Sequence, residues 1–169
     1  MTDYLRVSGR DVGAGLAGGG SALLASVLIN LWNFFETQRG RGFDSATIAE
    51  HLRGSPIVVP SMILAPVIAV FVGTVVWRVM MPDEPNPRYG TVAGVVSALG
   101  SLFVFAASMG LLMTLNRVSA GTLVGALDEF LILTYLIAVF GGIITAPIIV
   151  PVGALVGYGY EWYIKKDQQ

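Results

Sequence analysis

Residues Phe130 to Tyr160 read FLILTYLIAVFGGIITAPIIVPVGALVGYGY, 31 consecutive positions without one charged side chain. An element on a soluble fold keeps a polar face toward water, and this stretch has none to offer. A hydrocarbon layer roughly 30 Å thick, crossed by about 20 apolar residues, accepts it. Three more charge-free stretches precede it: Val12 to Phe35 and Gly54 to Trp77, of 24 residues each, and Tyr89 to Asn116, of 28. Four crossings follow, near residues 12–35, 56–77, 90–114 and 130–160. The expected fold is all-α: an integral membrane four-helix bundle forming one transmembrane domain over residues 1–169, with short loops and kinks in helices 2 and 4.

The whole chain agrees with its last span. Hydrophobic residues make up 54% and charged residues 12% of the 169 positions, and the mean hydropathy is +0.73. A soluble domain carries about twice that share of charge. The net charge of -1 and the pI near 5.7 offer no basic surface, so no nucleic-acid partner is expected. With no cysteine and one histidine, His51, lying outside the apolar stretches, thiol chemistry, iron-sulfur clusters and histidine-built metal centres are disfavoured. Arg6 and Arg10 ahead of the first stretch resemble a signal peptide, but that stretch exceeds the usual h-region of about 7 to 15 residues and reads as an uncleaved first helix.

Between the spans, Phe43 to Leu52 has the pattern of a short surface helix, with Asp44 or Ser45 as cap and Gly54 as terminator. Pro82, Pro85 and Pro87 mark a tight turn that makes spans two and three neighbours. Ser119 to Leu127 is apolar enough to lie in the membrane interface as a helical turn or two. The fourth stretch is too long for a simple crossing: 31 residues make about 46 Å of helix. It is expected to be one helix, kinked at Gly141, Gly142, Pro147 or Pro151, whose last turns carry Tyr158, Tyr160, Trp162 and Tyr163 into the headgroups. The alternative is a split at Thr145 to Pro147. Trp77, Tyr89 and these terminal aromatics share one membrane face, and that face holds slightly more Lys and Arg. Both signals place the two termini in the cytoplasm.

Small residues recur at every fourth position. Gly18 and Ala22 in span one, Ser61, Ala65, Ala69 and Gly73 in span two, Gly90 and Gly94 in span three, and Gly153 and Gly157 in span four form such stripes. Residues four apart share a helix face, so each stripe is a groove into which another backbone can press. The grooves serve the bundle itself or a further subunit.

Sites of chemistry are scarce. Gly13, Gly15 and Gly18 match G-x-G-x-x-G, yet they open a membrane span where a dinucleotide site requires a strand and a helix. Pumps place ionisable residues at mid-bilayer, and these spans hold none. Their polar residues are neutral: Ser26, Asn30 and Asn33, then Ser97, Ser101 and Ser108, then Thr134, Tyr135 and Thr145. Asn30 is the most conspicuous, since lipid satisfies neither its donors nor its acceptor, and an interhelical hydrogen bond is its expected role. Asp128 and Glu129 complement the positive end of the fourth helix, or else ring the mouth of an oligomeric pore. No catalytic, cofactor-binding or metal-binding residue is expected. The composition points to a structural or accessory subunit of a larger membrane assembly or membrane-bounded particle. Its partners would be membrane lipids and other membrane subunits, or copies of itself. The alternative is a homo-oligomeric channel or facilitator for a small solute or ion, with Asn30, Asp128 and Glu129 as pore contacts.

Overall fold

The computed structural model describes residues 8–37, 58–82, 84–119, 121 and 125–167. They form α1 (Gly9–Thr37), α2 (Val58–Met80), α3 (Pro87–Ser119), α4 (Ala126–Leu136), a π-helical stretch (Ile137–Gly141) and α5 (Gly142–Asp167). The last three run on without a break and make the fourth span, so four helices are long and apolar enough to cross a membrane. The chain is an all-α, multi-pass membrane protein with a four-helix architecture. Residues 43–52, the expected surface helix, lie outside the described residues, as do most of the 119–127 connector and the side chain of Ser61.

Helix ends follow local chemistry. Ser8 caps α1 reciprocally: its hydroxyl accepts from Asp11 N at 3.2 Å, and Asp11 Oδ2 accepts from Ser8 N at 2.9 Å. Asn86 caps α3, accepting from Arg88 N at 3.1 Å, ahead of Pro87 in the first helical position. Gly121 and Gly125, at φ 96° and 80°, take left-handed conformations in the turn that leads into α4, which a side chain would strain.

Two hairpins build the bundle. α1 packs along α2, and α3 packs along the fourth span, with the closest contacts between backbones. A methyl group placed on Gly94 would fall on the Gly153 carbonyl oxygen, and one on Gly157 would fall on that of Gly90. Gly15 and Gly19 of α1 press in the same way on Val70 and Pro66 backbone carbonyls. In lipid, where apolar burial drives little association, such close approach holds helices together through dispersion. The glycines of the apparent dinucleotide motif thus serve packing: Gly13 and Gly15 meet Tyr160 and Thr74.

The fourth span is the irregular one. At 42 residues it measures about 63 Å as a helix, twice the hydrocarbon thickness. Thr145, Ala146 and Pro147 lie inside α5, so the split does not occur there; the departure from α geometry is the π turn at Ile137–Gly141. Its position has a reason. Gly94 and Gly110 of α3, 16 residues apart, meet Gly153 and Thr134, which are 19 apart on the fourth span. A π turn absorbs part of that surplus.

Candidate functional site

Where the two hairpins face each other, they leave a cavity of about 360 Å³ lined from all four spans. On α1 the lining runs from Ala14 to Asn33, about 28 Å of helix rise. Of the sequence-derived stripes, Gly18, Ala22, Ala65, Ala69, Gly73, Gly94, Gly153 and Gly157 line this cavity, while Gly90 is buried against Gly157 and Glu161. Small side chains on facing helices leave space once the backbones stop approaching.

The lining is graded. One end is walled by apolar and glycine positions and finishes on Trp77 and Tyr160, whose rings meet edge to face at 6.1 Å. Toward the other end Ser26, Asn30, Ser101 and Thr145 are interspersed with Ala25, Ile29, Leu102 and Phe105, followed by the exposed Asn33. α1 and α5 are the least closely packed of the neighbouring helices. No residue of the lining is charged.

Most hydroxyls in the spans fold back on their own helix: Thr74 on Val70 O at 2.8 Å, Ser108 on Val104 O at 2.8 Å, Thr114 on Gly110 O at 2.9 Å and Thr145 on Gly141 O at 2.7 Å. Asn30 does likewise, donating to Ser26 O at 2.8 Å. Its observed bond is therefore within α1, in place of the expected bond between helices, because the i−4 carbonyl lies within reach of the amide. Ser26, Ser97 and Thr134 have buried hydroxyls without a partner, and the first two line the cavity.

The apolar end is closed by a clasp that the sequence reading missed. Glu161, one residue beyond the charge-free stretch, is fully buried. Its Oε1 accepts from Arg10 Nε at 3.0 Å and Trp77 Nε1 at 3.0 Å. Oε2 accepts from Arg10 Nη2 at 2.5 Å and Asn86 N at 3.1 Å. Four donors from α1, α2 and the turn before α3 thus converge on one carboxylate of α5, which makes a buried charge tolerable. Tyr160 adds a bond from its hydroxyl to Arg10 O at 2.9 Å. Beside it, Asp11 is buried and Arg78 Nη1 lies 3.9 Å from its Oδ2. Trp77 is consequently a correction: at 3% exposure it is an internal donor and cannot serve as a headgroup anchor, whereas Tyr89, Tyr158, Trp162 and Tyr163 remain exposed.

Asp128 and Glu129 are not brought to the cavity. Both sit in the first turn of α4; Asp128 is exposed, and Glu129 Oε1 accepts from Arg117 Nε at 3.0 Å beside a separate groove. Among the described residues, no cluster of His, Cys, Asp and Glu has the makings of a metal site. Compared with protein-family models, curated proteins and solved structures, the chain matches none.

Proposed function

We propose that this protein is a structural or accessory subunit of a larger membrane assembly or membrane-bounded particle. The observation that carries the reading is how polarity is divided. The neutral polar residues that line the cavity lie away from the clasp, and the clasp end is closed by Trp77, Tyr160 and Glu161. The outward faces carry Leu24, Phe71, Val75, Phe103 and Leu155, all more than half exposed. Such faces suit lipid and the helices of neighbouring subunits. The aromatic and basic residues at the clasp end support cytoplasmic termini. Native mass spectrometry of a mild-detergent extract tests the reading. Recovery with other membrane proteins at fixed ratio is expected. A protein that purifies alone and moves a solute across liposomes overturns it.

A channel or facilitator is the second reading, favoured by the gathering of Asn30, Ser101 and Thr145 around one cavity. On that reading Asn30→Leu lowers liposome flux severalfold without preventing assembly, and unchanged flux removes it.

A further inference from the structure

We propose that the two hairpins are rigid units hinged at the clasp, and that the bundle opens by pivoting there, so that α1 and α5 part at the membrane face opposite it. Three ties between the hairpins coincide at the clasp end. The chain itself passes from one hairpin to the other through the short turn between Met80 and Pro87, and Asn86 N of that turn donates to Glu161. Arg10 and Trp77 of the first hairpin donate to the same carboxylate, and the Tyr160 hydroxyl of the second donates to Arg10 O. The buried hydrophobic cluster also lies here: Ala14, Trp77 and Ala93, with Tyr160 packed on it, bring all four spans together.

Away from the clasp, close backbone packing runs within the hairpins. Gly15 and Gly19 press on the backbone of α2, and Gly94 and Gly110 of α3 press on that of the fourth span. Helices in backbone contact have no side chains between them that could repack, so each pair moves as a unit. Between the hairpins the meeting is softer. Gly100 of α3 faces a methyl group of Val72, α1 and α5 are the least closely packed neighbours, and the cavity separates the pairs as far as Asn33. Two rigid units tied at one end and loosely packed along the rest have one easy motion, a rotation about the tie. The face opposite the clasp widens and narrows while the clasp face stays sealed, and this holds under either reading of function.

The chain contains no cysteine, so introduced cysteine pairs carry spin labels at chosen sites in the full protein, and pulsed electron spin resonance in phosphatidylcholine nanodiscs reads the distances. Leu28→Cys with Ile144→Cys spans the α1 and α5 seam at exposed positions, about 26 Å along the helices from the clasp. Val12→Cys with Tyr158→Cys spans the same seam beside the clasp, and Leu28→Cys with Ile63→Cys and Val104→Cys with Ile144→Cys stay within one hairpin each, again at exposed positions. The far pair is expected to give a distance distribution about twice as broad as the other three, as a hinge at the clasp requires. Ala22→Leu with Ala65→Leu places bulk between the hairpins and is expected to change the far pair's distribution while leaving the within-hairpin pairs as they were. Equal widths for all four pairs overturn the proposal. So does a broad far pair that the added bulk leaves unchanged, since the breadth then belongs to the labels.

Discussion

The two ends of the half-open cavity between the hairpins treat polar groups in opposite ways. At the clasp, Glu161 has no exposed surface, and both its oxygens accept two hydrogen bonds each. Away from the clasp, Ser26 and Ser97 keep buried hydroxyls with no partner. A full charge is far costlier to bury than a hydroxyl, so it persists only inside a complete shell of donors. A lone hydroxyl costs far less and can remain unmatched. The complete shell around Glu161 therefore marks the clasp as the lock of the bundle.

Breaking the lock gives the largest effect. Glu161→Ala leaves Arg10, with 19% side-chain exposure, facing an empty site, and should cost about 3 kcal/mol, the lower end for a broken buried pair. Thermal unfolding in mild detergent measures it, and a loss well under about 1 kcal/mol would remove the clasp as a stabilising element. Gly94→Ala adds a methyl where the Gly153 backbone already lies. Backbone cannot move aside as a flexible side chain does, so about 1 to 3 kcal/mol is expected. Ser97→Ala is the smallest and has the opposite sign. Removing an unpartnered buried hydroxyl should leave stability unchanged or raise it by up to about 1 kcal/mol. A clear loss instead would mean that Ser97 is bonded in the membrane.

The helical class was legible because charge-free runs of 24 to 31 residues admit few alternatives. The small-residue stripes were legible as grooves for the same periodic reason, and the polar lining could be named residue by residue. Which groove would close on a neighbour and which would stay open was not legible. That depends on how two hairpins are set against each other, and Gly94 and Ala22 look alike in sequence. Glu161 was missed because it falls one residue outside an apolar run, where an acid ordinarily meets headgroups and water. The signal that could have found it is the set Arg10, Trp77 and Glu161, one residue type of each kind, all at the same membrane face. The π turn left no such mark, since it answers a length mismatch with α3 that exists only after packing.

The clasp also has a place in time. Arg10 and Glu161 are separated by 151 positions, so the first span is made long before the carboxylate it will hold. At about 5 to 20 residues per second of synthesis, Arg10 waits roughly 8 to 30 s. During that interval α1 and α2 can pair through Gly15 and Gly73, which are close in the finished bundle. The second hairpin can do the same through Gly90 and Gly157. Fastening α1 to α5 must await Glu161, so the carboxylate acts as the final fastening of the chain and its burial signals that every span has arrived.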